Sequence, residues 1–245
     1  MQSPVNFTML GLVDGGWRWL QRRLLPERCL VCGEPGVPGL DLCAACREGV
    51  PWNAAACCRC ALPLPALDAE QVCGVCQRRP PPLERVASAC VYAAPVDGLL
   101  RRFKFHQDLA AGRLLAALLQ ARCAALPRPQ ALLPVPLHPA RLRQRGYDQA
   151  LELARPLARA LALPLCLELQ RVRATAAQSE LDARARRRNL RGAFAVPASA
   201  SAVLPAHVAL VDDVMTTGAT LHAAAQALRR AGVARVDAWV VARVP

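Results

Sequence analysis

The sequence predicts an α/β domain with a mainly parallel sheet, preceded by a small cysteine-rich module. Three observations lead there. Nine of the twelve cysteines in the 245-residue chain fall between Cys29 and Cys76. After Ala87, continuous aliphatic runs alternate with longer helix-like stretches, as in a buried parallel sheet flanked by helices. Between the two, QRRPPPLER (Gln77 to Arg85) can continue neither helix nor sheet and reads as a stiff linker. The expected division is an N-terminal amphipathic helix over 1–28, a cysteine module over 29–78, a proline-rich linker over 79–86 and an α/β domain over 87–245.

The elements follow in order. Val13 to Leu25 has Trp17, Leu20 and Leu24 on one helical face, a stripe suited first to docking on its own protein, and otherwise on a partner or a membrane surface. Ser88 to Ala93 reads as a strand. Val96 to Phe105 and Leu109 to Ala125 read as helices, the second with Leu109, Leu114, Leu118 and Leu119 as its apolar stripe. Ala131 to Leu137 is a short buried strand. Asp148 to Leu161 is a helix capped near Asp148, with Pro156 expected to kink or divide it. Val208 to Val211 is a strand, Thr220 to Ala231 a helix closed by Gly232, and Val236 to Val241 a final strand.

Composition narrows the partners. Apolar residues make up 54% and aromatics 4%, so the core is Leu, Ala and Val. Basic residues outnumber acidic ones 31 to 18, for a net charge of +13, which favours anionic ligands such as phosphates or nucleic acid. Lys104 is the only lysine among those 31. That bias towards Arg, in a chain rich in Ala and Pro, is compositional. No apolar run approaches the roughly 18 residues of a membrane span. The N-terminus lacks the order of a signal peptide, which implies a cytoplasmic, reducing setting.

The cysteines pair by spacing. Cys29 and Cys32 are followed by Cys43 and Cys46, and Cys57 and Cys60 by Cys73 and Cys76. Two residues between thiolates let both sulfurs reach one ion from a tight turn, and a second pair completes a tetrahedron. Two structural Zn²⁺ ions are expected, since a segment this short has almost no core of its own. Disulfides are the alternative and need an oxidising compartment. Cys58, beside Cys57, is a substitute ligand that the pair spacing disfavours. Basic and acidic residues nearly balance in this module, so protein docking suits it at least as well as DNA binding.

VALVDDVMTTGATL, Val208 to Leu221, holds the chemistry. A strand ending at Val211 delivers Asp212 and Asp213 to the carboxyl edge of a parallel sheet, where α/β folds bind ligands. The turn after it offers the hydroxyls of Thr216, Thr217 and Thr220, with Gly218 allowing close approach. Free N–H groups at the following helix N-terminus favour an anion. Carboxylates repel phosphate, so their targets are sugar hydroxyls or a Mg²⁺ ion. A ribose 5-phosphate carrying a metal-bound diphosphate meets all of these demands. Neither GxxxxGK[ST] nor GxGxxG is present, which argues against ATP hydrolysis and dinucleotide binding.

VALVDDVMTTGAT resembles the phosphoribosyl-diphosphate (PRPP) signature of type I phosphoribosyltransferases. PVPLHPARLRQRGYDQA (Pro134 to Ala150) is similar to the ComF-family segment with the diphosphate-side loop and an RGFNQ-like motif. RVRATAAQSELDARARRRNLRGAF (Arg171 to Phe194) is similar to that family's R.RxTxxQ…L…R..N…AF pattern, and the cysteine module resembles its double zinc ribbon. The chain is thus identified as a member of the ComF/GntX-like family, from Cys29 onward. Tyr147 and Asp148 depart from the commoner Phe and Asn.

The resemblance implies a type I phosphoribosyltransferase fold. It implies that Asp212 and Asp213 hold the ribose hydroxyls, that Thr216, Thr217, Gly218, Ala219 and Thr220 bind the 5-phosphate, and that Val211 belongs to the PRPP-binding set. The loop around His138 to Arg141, with Arg145, faces the diphosphate and Mg²⁺. Arg171, at the head of a closing loop that runs to Asn189, is the first candidate for the departing diphosphate. The reaction is displacement at the anomeric carbon, with the acceptor unspecified. The family is also associated with natural competence, implying DNA uptake with single-stranded DNA or a helicase as partner. In the alternative reading the chain is a non-catalytic adaptor that binds through ribbon and basic loop.

Overall fold

The computed structural model describes residues 26–65, 71–173, 190, 192–201 and 204–245. The expected helix over Val13 to Leu25 lies outside them, as does most of the arginine-rich segment after Arg173. The chain forms two compact units, meeting between Gly49 and Val50. The second cysteine set therefore groups with the α/β unit, whereas the sequence reading placed the boundary after residue 78.

In the first unit, Cys29 and Cys32 occupy a turn in which Gly33, at φ +82°, donates to the Cys29 carbonyl. Cys43 caps helix α1 (Ala44–Glu48), its sulfur accepting from the Cys46 N–H. The second unit opens with the second cysteine set. Ala61 N–H bonds back to Cys57, and helix α2 (Gly74–Arg78) starts just after Cys73.

Four parallel strands follow, in the order β1–β6–β5–β2: β1 (Val86–Val91), β2 (Ala131–Pro134), β5 (His207–Met215) and β6 (Arg235–Arg243). Their central residues are buried aliphatics with Trp239 among them, which is why they read as continuous apolar runs. Helices α3 (Val96–Phe105) and α4 (Leu109–Cys123) follow β1. Helices α5 (Pro139–Arg145) and α6 (Gln149–Ala160) follow β2. A short antiparallel pair, β3 (Gln170–Arg171) with β4 (Phe194–Ala195), and helix α7 (Ala198–Ser201) precede β5. Helix α8 (Ala219–Arg230) joins β5 to β6.

Helix α8 packs Leu221, Ala224, Ala225 and Leu228 with Leu133, Val208, Leu210, Val236 and Ala238. Those strand residues are one alternate set; the other set faces α4 and α6, which lie against β1, β6, β2 and β5. In α4, Leu114, Leu118 and Leu119 are buried, as the stripe predicts, but Leu109 is 49% exposed. Gly112 makes room in that helix for Phe103: a Cβ there would meet the Phe ring at 2.5 Å.

Neither lateral rim of the sheet is bare. Outside β1, Val91 N–H donates to Pro51 and Asn53 N–H to Ala89. Outside β2, Leu132 N–H donates to Pro164 and Cys166 N–H to Leu132. The cysteine turn is bonded to the sheet as well: Val86 N–H donates to Cys58, and Arg243 Nε to Cys60 at 2.9 Å. Glu84 accepts from both Arg59 and Arg229 across the same seam.

Two expectations need correction. Pro156 does not divide α6, which is continuous over Gln149–Ala160. It sits on the partly exposed side of the helix, where water can satisfy the carbonyl that loses its partner. And β5 does not stop at Val211. Its ladder with β6 continues through Asp212↔Val240, Val214↔Ala242 and Met215↔Arg243, so both aspartates belong to the strand.

Candidate active-site cleft

A cleft of about 690 Å³ opens at the carboxyl end of the sheet. Asp212 and Asp213 come from the end of β5, Thr216 and Thr220 from the turn into α8, and Asp148 from the start of α6. Four cations face these three carboxyls: Lys104 ending α3, Arg141 and Arg145 on α5, and Arg171 on β3. Phe105, 67% exposed, stands in the same wall with the Arg145 guanidinium 5.5 Å from its ring centre.

Successive strand residues face opposite ways, and Lys104 pairs with the second of the two aspartates. Lys104 Nζ lies 2.9 Å from Asp213 Oδ1, with the two side chains 22% and 12% exposed. Asp212 accepts from the Asp213 N–H at 2.9 Å. Burial, then the neighbouring Asp213 carboxylate, pushes the Asp212 carboxyl up to about 8. Burial, then the charge of Arg141, holds Arg171 below its usual range, with Asp212 acting in the opposite sense. Arg171 is buried, its guanidinium 5.5 Å from the Phe194 ring centre.

Asp148 is committed to structure. Oδ1 caps α6 through Leu151 N–H, and Oδ2 accepts from Leu137 N–H at 2.9 Å. Asn could supply the cap, but its amide NH₂ could not also accept from Leu137. Burial drives the Asp148 carboxyl upward against those backbone bonds. Gln149, 2% exposed, accepts from Arg145 Nη1 at 2.7 Å and steadies that cation.

The turn into α8 depends on Gly218. It sits at φ +75°, and a Cβ there would meet the Met215 side chain at 2.5 Å. Gly218 has no side chain with which to cap this helix, and the helix dipole favours an anion at this end.

The cysteines form two clusters, Cys29, Cys32, Cys43 and Cys46, and Cys57, Cys60, Cys73 and Cys76. Within each, the four sulfurs lie within 4.8 Å of one another, the arrangement of a closed tetrahedral Zn²⁺ site. The protonation pattern also calls for a cation. Burial opposes the Cys29 thiolate, but N–H groups of Cys43, Cys32 and Val31 outweigh it and bring the thiol to about 6. Contacts with Cys32 and Cys43 then push Cys46 up to about 12. Four sulfurs cannot all ionise without a dication between them.

The model of the double zinc ribbon domain family matches residues 20–90, and that of the phosphoribosyl transferase domain family matches residues 148–245. Over 229 residues the chain is 36% identical to the DNA utilization protein YhgH of Salmonella typhi, covering 89% of this chain and 98% of that one. It is 35% identical over 227 residues to competence protein F of Haemophilus influenzae, covering 88% of this chain and 96% of that one. This chain belongs to the ComF/GntX-like family. Its two cysteine clusters are the zinc sites of the family's double ribbon, and its sheet carries the phosphoribosyltransferase domain. A solved structure of the allosteric regulatory enzyme of purine biosynthesis overlaps 53% of this ComF-family chain and 25% of its own, with TM-score 0.34 and 19% identity.

Of the residues singled out in the sequence, Asp212, Asp213, Thr216, Thr220, Arg141, Arg145 and Arg171 line the cleft. Val211 is fully buried in β5 beneath it. Thr217, Gly218 and Ala219 form the turn, with Thr217 Oγ1 accepting from Ala219 N–H. His138 caps α5, accepting from Ala140 N–H, and is not among the cleft-lining residues. Residues 174–189 and 191 lie outside the described ones. Sequence reasoning missed Lys104, Phe105 and Gln149. A lone lysine among arginines is the signal for Lys104, and Gln149 lies within the RGYDQA motif.

Proposed function

We propose that this chain binds PRPP in the cleft and transfers its phosphoribosyl group to an acceptor. One observation carries the reading: paired carboxylates and the N-terminal turn of α8 share a cleft with four cations. The α8 turn suits a 5-phosphate. Asp212 and Asp213 suit the ribose hydroxyls, which donate to carboxylates where a second phosphate would be repelled. Arg141, Arg145 and Arg171 suit the diphosphate.

The reaction breaks the bond between the anomeric carbon and the diphosphate oxygen, whose electron pair leaves with the diphosphate. A bond from the acceptor's lone pair forms on the opposite face, and the acceptor gives up its proton. The protein supplies positioning, and positive charge where negative charge develops. The carboxylates of Asp212 and Asp213 are hard oxygen donors of the type Mg²⁺ takes, and the ion, when bound, neutralises charge on the diphosphate.

A role in DNA utilization or competence accompanies this reading, supported by the names of the relatives and the net charge of +13. The test is calorimetric titration of the zinc-loaded chain with PRPP and Mg²⁺, beside the D212N/D213N double variant. Binding by the wild type, lost in the variant, is expected. A wild type that binds single-stranded DNA with a steep salt dependence, but not PRPP, would overturn transfer in favour of an adaptor.

A further inference from the structure

Lys104 is the only lysine in a chain with 31 basic residues. Where composition drives lysine to arginine throughout, a lysine in a cleft lined by three carboxyls calls for a chemical reason. It ends α3, lies 2.9 Å from Asp213 Oδ1 and is only 22% exposed.

We propose that Lys104 is the positioning residue of the ribose subsite, and that the site requires an ammonium rather than a guanidinium. This rests on the PRPP reading above. An ammonium is a compact point charge with three donors. In the structure it engages Asp213 through Oδ1. That arrangement keeps the Asp213 carboxylate oriented. The second carboxylate oxygen stays available to a sugar hydroxyl, and the remaining ammonium donors to the ligand's phosphate oxygens. A guanidinium in its place would present a planar fork that takes both oxygens of a carboxylate at once. It would hold Asp213 as firmly and close it to the sugar. The other three cations of the cleft are arginines, so positive charge alone is already well supplied.

The experiment compares wild type, K104R and K104Q as full-length, zinc-loaded proteins, measuring thermal midpoint and PRPP–Mg²⁺ affinity by calorimetry. K104R should match or exceed the wild-type midpoint, because the ion pair to Asp213 survives, yet bind PRPP at least about tenfold more weakly. K104Q should lose affinity to at least the same degree. A purely structural or purely charge role would move midpoint and affinity together and would be rescued by K104R. K104R binding within about twofold of wild type overturns the proposal, as does K104Q doing so if K104R fails to fold. A wild type that fails to bind PRPP overturns the parent reading and this one with it. A wild type that binds while K104R binds equally overturns this one alone.

Discussion

At the scale of single residues, the carboxyl of Asp212 is held at odds with the fold that carries it. Burial first, and then Asp213, raise it to about 8, against about 4 for an aspartate in an unfolded chain. Between those values the folded state retains a proton that the unfolded state has released. Stability is therefore lost as pH rises through that window and is restored below it. In the ligand-free protein, D212N should raise the thermal midpoint at pH 7.5 by about 2–6 °C, with the gain vanishing near pH 4. Scanning calorimetry across pH checks this; a variant less stable than wild type at pH 7.5 would contradict it. Legibility was uneven at this scale. The two aspartates stand out because nothing in a strand explains adjacent carboxylates, and the eight cysteines because their spacing has few other uses. Lys104 does not, since its significance depends on what it faces, and only the fold brings the end of α3 to the end of β5.

At the scale of elements, the site end of the sheet is balanced by a polar lock at the other end. Asp237, 1% exposed, takes two bonds from Arg235 on its own strand and lies 2.9 Å from His207 Nε2 on β5. Gln130 pairs with the His207 backbone on the β2 side. Truncating Asp237 to Ala would leave Arg235 and His207 without their shared acceptor, at a cost of about 3 kcal/mol. Chemical denaturation should show that loss, with PRPP affinity unchanged because the cleft lies at the opposite end. Helices with apolar stripes, such as Val96–Phe105, could be read to the residue. Helix α5 could not be read from periodicity, since it buries none of its residues. Its signals are only local, in the His138 cap, Pro139 and the left-handed Gly146. The end of β5 was misread because polarity begins at Asp212 while the hydrogen-bond ladder with β6 continues to Met215.

At the scale of the whole molecule, the two zinc clusters are unequal. Cys57, Cys60, Cys73 and Cys76 belong to the same compact unit as the sheet, while the first four cysteines belong to the other. Disrupting the second cluster with C57S/C60S should lower the thermal midpoint of the α/β unit by about 5 °C or more. The matching C29S/C32S variant should leave that midpoint within about 2 °C. Zinc content measured beside calorimetry checks both, and equal losses would contradict the assignment. The proline stretch at residues 79–86 lies within the second compact unit and close to the end of the double zinc ribbon match at residue 90. Proline content reports local stiffness, not which segments share a core.

The covered rims of the sheet have a consequence for behaviour in a crowded solution. A strand with a free flank is a template on which another chain can lay its own backbone, copy after copy. Here residues 51–53 occupy one flank and residues 164–166 the other, so growth by added strands has nowhere to begin. The guard on the β1 side leads directly into Cys57. Metal starvation would therefore threaten more than one ribbon: it would loosen the segment that keeps this sheet from recruiting its neighbours.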